Sequence, residues 1–437
     1  MKQKTALDIL KLGHNVFLTG PAGSGKTYLL NQYIDYLKEK NIGVAITAST
    51  GIAATHMNGQ TIHSWSGMGI SEALSEEDMT KLTKKHYHRQ KFKKAKVLII
   101  DEVSMLHAHQ LDLVDSICKK FKDPFLPFGG LQVILCGDFF QLLPVAKYGR
   151  KPEFVIQSDS WEEMNPKICY LEEQHRQEDG QMLRILKDIR SRSCDEKTLK
   201  LILSRENKAI KNSITPTRLF THNADVDAIN NLELRKINEE SKIFEMTAAG
   251  IDNLIMTLKR GCLAPETLVL KKGAVVMFVK NNFERGYVNG TLGKVLGFDG
   301  MGLPVVKTFS GKEIMVIPEK WSIEEDDVPL ASITQMPLRL AWAITVHKSQ
   351  GMTLDAVEMD LSKAFEYGMG YVALSRARTL EGIKLLGINK AALEVNPEVY
   401  EMDKTLEELS HNNVREIGKM SWLEKKTRQK KFIKNIT

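Results

Sequence analysis

The chain alternates short, wholly apolar runs with stretches in which apolar residues return at every third or fourth position. Val16-Phe-Leu-Thr19 is one such run; beyond a glycine-rich turn, Leu29, Leu30, Tyr33, Ile34 and Leu37 share a helical face, which predicts strand, loop, helix. Val44 to Ala48 repeats the strand signal behind the turn residues Asn41 and Gly43. Val97 to Ile100 and Val133 to Cys136 are further apolar runs that end at acidic or Gly-Asp punctuation. Continuous apolar strands separated by helices predict a parallel sheet covered on both faces, an α/β fold. Ligands then sit at the strands' carboxyl ends. From about 268 to 331 the pattern shifts to β-type runs between closely spaced turn glycines, as in KKGAVVMFVKNN, GYVNGTLGKVLGF and LPVVKTFSGKEIMVI. This predicts a small antiparallel barrel. Helical and α/β patterning is expected to resume at Pro337 to Ser349 and at Tyr371 to Arg378, making the barrel an insertion in a second α/β unit.

Length and composition narrow this picture. The 437 residues suggest roughly three folding units. With 43% hydrophobic and 26% charged residues and 13 prolines, collagen-like and largely disordered chains are excluded. No run approaches the roughly 20 apolar residues that cross a bilayer, and the first residues lack a signal-peptide hydrophobic region and cleavage site. The expectation is an intracellular protein of the cytoplasm or nucleoid, without membrane contact. Cys118, Cys136, Cys169, Cys194 and Cys262 are scattered and form no Cys-x-x-Cys pair, so reduced, buried thiols are expected.

Net charge is +7, but its distribution is uneven. Lys81 to Lys96 carries eight Lys or Arg and no acid, and Lys419 to Lys434 carries seven against Glu424 alone. The rest of the chain is therefore net acidic, which suits an anionic polymer meeting particular surfaces. The first cluster interleaves His86, Tyr87, His88 and Phe92, a mixture that could stack bases while neutralising phosphates. The alternative for both segments is a solvated loop and tail.

Gly20-Pro-Ala-Gly-Ser-Gly-Lys-Thr27 matches G-x-x-x-x-G-K-[ST] between the expected strand and helix. In such a loop, formed here by Gly20, Pro21, Ala22, Gly23, Ser24 and Gly25, the glycines let the backbone N–H groups of the non-proline residues converge on phosphate oxygens. Lys26 reaches the terminal phosphates and Thr27 ligates Mg²⁺ at the helix N-terminus. Nucleotide binding, with ATP and Mg²⁺, follows. Asp101-Glu102 ends an apolar strand, where Asp101 can hold the metal shell and Glu102 can orient and deprotonate water. Away from a buried strand and a P-loop, such a pair is an ordinary surface feature. Gln141, in Gly137-Asp-Phe-Phe-Gln141, can contact the γ-phosphate or the lytic water and lose that contact after hydrolysis; without the strand and P-loop context it reads as an ordinary surface amide.

These stretches together resemble a family, the superfamily-one DNA helicases of the Pif-one type (petite integration frequency), relatives of RecD. GPAGSGKT resembles motif I and TASTGIAA at Thr47 to Ala54 motif Ia, with GQTIHSW at Gly59 to Trp65 beside it. DEVSML at Asp101 resembles motif II, GDFFQLLPV at Gly137 motif III and LEEQHRQ at Leu171 motif IV. TVHKSQGMTLD at Thr345 resembles motif V and YVALSRAR at Tyr371 motif VI. The segment LDLVDSICKKF followed by PFGGLQVILCGDFFQ favours the Pif-one type over RecD. Leu143 replaces a more usual proline in motif III, and His175 an apolar or aromatic residue in motif IV.

The resemblance implies two RecA-like units. The first covers residues 1–177 with a short wedge insertion near 66–96; the second covers 178–270 and 332–437 with a basic tail. A Src-homology-three-like β-barrel is inserted at 271–331. It implies that Gln3 recognises adenine and that Arg176 and Arg376 reach the γ-phosphate from across the cleft. Thr50, Gly51, His63 and Ser64 on one unit, and Thr345, His347, Lys348 and Ser349 on the other, would contact the strand. Gln350 and Gly351 would link strand grip to nucleotide. Read from its own surroundings, His63 or His347 is rather a satisfied core or turn residue, and Arg376 could be a helix-surface cation. The implied activity is an ATP-dependent 5′-to-3′ DNA helicase. It would act as a monomer on single-stranded, forked or G-quadruplex DNA. A nucleotide-gated DNA-binding switch and a RecD-like subunit of a nuclease complex are the alternatives.

Overall fold

The first sheet is parallel throughout. Its strands are β1 (Val16–Thr19), β2 (Val44–Ala48), β3 (Gln60–Thr61), β4 (Val97–Asp101), β5 (Gln132–Cys136) and β6 (Lys167–Tyr170), in the order β3-β2-β4-β5-β1-β6. Every residue of β1, β4 and β5 is buried, as the unbroken apolar runs require of strands covered on both faces. The register sets Ala48 opposite Asp101, Ile100 opposite Leu135 and Leu18 opposite Cys136. The carboxyl ends of four strands therefore finish side by side, and the polar residues that follow them converge. The computed structural model describes all residues except 58, 70, 145–152, 174–178, 211–215, 281, 283, 288–289 and 326–327.

The helix Lys26–Lys38 covers one face of this sheet through Leu29, Leu30, Tyr33, Ile34 and Leu37, all buried. Burying each such side chain is worth about 1.5–3 kcal/mol, so the helix is held by its apolar face rather than by propensity. Tyr33 carries its hydroxyl inside by donating to Gln132 Oε1 at 2.7 Å and to Leu10 O at 3.0 Å.

A second parallel sheet begins with β7 (Thr217–Phe220) and is interrupted by a long antiparallel insertion. That insertion runs through β8 (Ser241–Glu245), β9 (Thr247–Gly250), β10 (Thr267–Lys271), β11 (Val275–Phe278), β12 (Leu292–Phe298) and β13 (Pro304–Thr308). It continues through β14 (Glu313–Met315), β15 (Glu319–Glu325), β16 (Val328–Gln335) and β17 (Leu338–Leu340). The parallel sheet then resumes with β18 (Ala343–Thr345), β19 (Val357–Leu361) and β20 (Ile383–Ile388), in the order β18-β7-β19-β20. Among the described residues the insertion forms three antiparallel sheets, the largest ordered β14-β13-β12-β11-β17 around Val276, Phe278, Val295, Val306 and Leu338.

Several expectations are corrected. Antiparallel pairing starts at Ser241, well before 271, because β8 pairs with β10 and β9 with β16. Pro337 to Ser349 is not helical beyond a single 3₁₀ turn, His347–Ser349; it supplies β17 and β18. Both basic segments are helical. Lys81 to Lys96 lies largely on Glu76–Lys84 and His86–Lys94, with Phe92 fully buried, stacked on Phe121 at 4.2 Å and beside Trp65 at 4.6 Å. Phe92 cannot stack a base; Tyr87 is exposed, with the Lys91 ammonium over its ring at 5.0 Å. Cys118, Cys136 and Cys169 are buried thiols, whereas Cys194 and Cys262 are half-buried; all five are free.

The last two helices also depart from expectation, because they return to the first sheet. Pro397–Gly418 lies along the edge strand β6, where Ser410 Oγ accepts from Tyr170 N at 3.1 Å and Asn413 Nδ2 donates to Ile168 O at 3.0 Å. These side chains satisfy backbone groups that an open sheet edge would leave bare. Trp422–Ile436 follows and packs Ile433 and Ile436 into the same core as Leu10, Leu18 and Leu29.

Candidate nucleotide and DNA site

The phosphate loop leaves β1 at Gly20, whose φ of +141° is open only to glycine and where a Cβ would lie 2.4 Å from Leu171 O. Gly25, at φ +82°, opens the helix Lys26–Lys38. Lys26 Nζ folds back to donate to Gly20 O at 2.8 Å and Pro21 O at 3.1 Å, across the mouth of the loop. Ser24 Oγ is buried and, among the described residues, has no hydrogen-bond partner. Gln3, on the first helix Gln3–Lys11, donates through Nε2 to Ser24 O at 3.2 Å, so the predicted adenine-side glutamine is seated on the loop.

A cavity of about 760 Å³ opens beside the loop. Gly23, Gly25, Lys26, Thr27, Asp101, Glu102 and Gln141 line it from the first sheet; His347, Lys348, Gln350, Gly351 and Arg376 line it from the second. Asp101 is buried and its Oδ1 accepts from Glu102 N at 2.9 Å. Glu102 adopts φ +51°, ψ +41°, an uncommon conformation for a non-glycine residue, retained where the surrounding structure over-determines it. Burial, followed by the neighbouring Asp101, pushes its carboxyl up to about 7 against the opposing pull of Lys26 and Arg376. Thr27 and Asp101 present hard oxygen donors on one cavity, which fits a Mg²⁺ shell.

Among the described residues, contacts from several positions join the two walls. Gln350 Nε2 donates to Glu102 Oε2 at 3.0 Å. The amide of Ala22, inside the phosphate loop, donates to the Tyr371 hydroxyl at 3.0 Å. Gly368, at φ +80°, lies so close to the Gly137–Gln141 turn that a Cβ would approach Phe140 O to 2.5 Å. Arg376 is 1% exposed; its Nε donates to Val372 O at 2.9 Å and its Nη2 to Ser375 Oγ at 2.7 Å. It is a cavity-wall residue rather than a surface cation. Arg176, the other expected cross-cleft arginine, lies outside the described residues.

Sequence reasoning missed a buried network behind Gln141. Asp138 is fully buried, with Oδ1 accepting from Arg190 Nη1 at 2.7 Å and Oδ2 from Gln141 Nε2 at 3.3 Å. Arg190 Nη2 also donates to Asp403 Oδ1 at 2.9 Å and the Tyr170 hydroxyl at 3.0 Å, and the guanidinium stacks over Phe140 at 4.0 Å. Arg190 therefore ties the Gln141 turn to the helix Gly180–Arg190 and to Pro397–Gly418. Asp138 sits inside a stretch already singled out, but nothing local marks Arg190 or Asp403 as its partners.

The expected strand-contact residues divide. Thr50, His347 and Lys348 line the nucleotide cavity. Gly51 opens the helix Gly51–His56 and is exposed. His347 Nε2 lies 3.5 Å from Glu366, while burial, with help from Arg339, lowers the Lys348 ammonium pKa. Ser64 is exposed on Ile62–Ser66; His63, on the same short helix, contacts Gln110 at 3.3 Å and is held towards neutrality by burial. Thr345 and Ser349 are buried, and the Ser349 hydroxyl donates to Val346 O at 2.7 Å, so these two side chains face the protein.

Comparison with known proteins settles the family. A model of PIF1-like helicase matches residues 2–192, and one of the DNA helicase Pif1 2B domain matches 253–298. The chain is 44% identical to the ATP-dependent DNA helicase Pif1 of Psychrobacter sp., over 94% of this chain and 71% of that protein. The chain belongs to the PIF1-like helicases. ATP-dependent DNA helicase is therefore its class of activity. The human ATP-dependent DNA helicase PIF1 is 38% identical over 93% of this chain, which spans 63% of that longer relative. Among solved structures, Pif1 helicase from Candida albicans superposes with a TM-score of 0.85 at 34% identity, covering 92% of this chain and 98% of that one. A Bacteroides Pif1 helicase in complex with ADP-AlF3 and ssDNA matches with a TM-score of 0.75 at 30% identity, covering 94% and 97%. These likenesses bear out the α/β class with two RecA-like units and an inserted β domain.

Proposed function

We propose that this PIF1-like helicase couples ATP hydrolysis to 5′-to-3′ movement along single-stranded DNA and so unwinds duplex, forked and G-quadruplex DNA. The observation that carries the reading is the Glu102–Gln350 hydrogen bond, because it joins the candidate base of one sheet to a turn of the other across the nucleotide cavity. Lys26, freed from Gly20 O and Pro21 O, would reach the terminal phosphates. Gly20, Pro21, Ala22, Gly23, Ser24 and Gly25 would cradle them, with Gln3 on the base. A Mg²⁺ ion held by Thr27 and Asp101 would neutralise charge on the phosphate oxygens. Glu102 would accept the proton of the attacking water, with Gln141 orienting it. Arg376, joined by Arg176, would stabilise the leaving phosphoryl group. Loss of that anchor would loosen the cross-cavity contacts and shift the strand grip of Thr50, Gly51, His63 and Ser64 against that of His347 and Lys348, with buried Thr345 and Ser349 holding the turn that carries them. Gln350 and Gly351 lie between the two functions. Both cavity walls come from one chain, which supports action as a monomer.

The test is ATP turnover with and without oligothymidine, together with unwinding of duplexes carrying either a 5′ or a 3′ tail. Turnover should rise strongly with the strand, and only the 5′-tailed duplex should open. Equal turnover with and without oligothymidine would overturn the motor reading and favour a switch.

A further inference from the structure

The helix Trp422–Ile436 separates its residues sharply. Lys425, Gln429, Phe432, Ile433 and Ile436 are half-buried on one side, whereas Lys426, Lys430, Lys431 and Lys434 are exposed on the other. The Phe432 ring packs directly on Gly13, where a Cβ would lie 2.2 Å from it. Gly13 precedes β1, so the helix lies at the amino-terminal end of the first sheet, opposite the nucleotide cavity. Among the described residues, none of the four exposed lysines makes an ion pair; Glu424, the one acid of this helix, is engaged by Arg428 at 2.8 Å. Lys11 and Lys40, both over the Tyr36 ring at 4.5 and 5.1 Å, add cations at the same end of the sheet.

We propose that the outer face of Trp422–Ile436 is a docking surface for the phosphate backbone of duplex DNA, separate from the strand path through the cleft. Lys426, Lys430 and Lys434 recur at four-residue spacing, about 6 Å apart along the helix axis, a row of solvent-facing cations without a carboxylate partner among the described residues. Such a row neutralises phosphates and releases their counterions. A single strand would call for interleaved aromatic platforms. Here Phe432 points inward, and Trp422, at the helix start, is already covered by Lys426 at 4.1 Å. A membrane surface would need the apolar face free to insert, but that face is spent on the first sheet's core.

The proposal rests on the reading of the chain as a DNA motor, and one preparation tests both. The full chain and the variant K426Q/K430Q/K431Q/K434Q are titrated with a blunt labelled duplex over a range of salt, beside oligothymidine-stimulated ATP turnover. The slope of log affinity against log salt should fall by about 3 to 4 for the duplex, with affinity down about tenfold or more at moderate salt. Stimulated turnover should be unchanged, and K426R/K430R/K431R/K434R should restore the slope. Identical duplex slopes in full chain and variant would overturn the proposal. So would an equal loss on oligothymidine, which would make the face a single-strand contact, or binding to phosphatidylserine vesicles in place of duplex. Absent stimulation in the unmodified chain would instead defeat the motor reading, leaving the duplex result to stand on its own.

Discussion

The two walls of the nucleotide cavity hold their chemistry in different ways. On the first wall, Gly20 and Gly137 follow strands of one sheet and Asp101 ends another, and strand register alone places them together. On the second wall, Gln350 follows a single 3₁₀ turn and meets the first wall through one side-chain hydrogen bond, and Arg376 ends an eight-residue helix that meets it through Tyr371 and the close approach of Gly368. The first wall is preorganised by its own sheet. The second contributes only when the two sheets are held against each other, so losses there should separate nucleotide binding from turnover.

The largest effects should come from one cation on each wall. Lys26→Ala and Arg376→Ala should each lower strand-stimulated turnover about 10³-fold. Binding of a fluorescent ATP analogue should weaken strongly in the first and little in the second. Equal loss of binding in both would erase the distinction between the walls.

Next is the joint behind the first wall. Arg190→Met would leave Asp138 and Asp403 buried without their shared cation and should cost about 3–5 kcal/mol in urea unfolding. Arg190→Lys should recover only part, since one ammonium cannot reproduce the fork that meets both carboxylates. Full stability in Arg190→Met would show that the network does not anchor the Gln141 turn.

The smallest effect is on pH dependence. With the Glu102 carboxyl raised to about 7, its base form fills as pH rises, so turnover at saturating ATP should climb through neutrality and level off above it. Gln350→Met removes a donor to the charged form and should move that midpoint upward. The same shift means that the folded protein holds this proton more tightly than the unfolded chain. The group's contribution to stability therefore declines as pH rises from the ordinary carboxylate range towards 7. A flat turnover profile between about pH 6 and 8 would remove Glu102 from the role of base.

The divide between the walls is also a divide in legibility. The P-loop, its strand and its helix were readable because a β run, glycines that admit positive φ and an amphipathic face are all written within a few residues. Asp101 and Glu102 were readable because a buried strand must end somewhere and polar residues mark the place. For the far wall, motif resemblance supplied Gln350 and Arg376, while local patterning misread Pro337 to Ser349 as partly helical. That segment's apolar and polar order serves two short strands and a turn.

By itself, then, the sequence determined the parallel sheet, the phosphate loop and the strand-end carboxylates, since each depends on backbone geometry and spacing along a short stretch. Only the tertiary structure decided that Gln350 meets Glu102 from 248 residues away, and that Arg190 joins Asp138 to Asp403. It also decided that the basic carboxyl-terminal segment is a helix docked on the first sheet rather than a tail. Those pairings are set by which apolar faces cover one another once the chain is compact, and burial then obliges each charge or bare strand edge to find a partner wherever the fold has brought one.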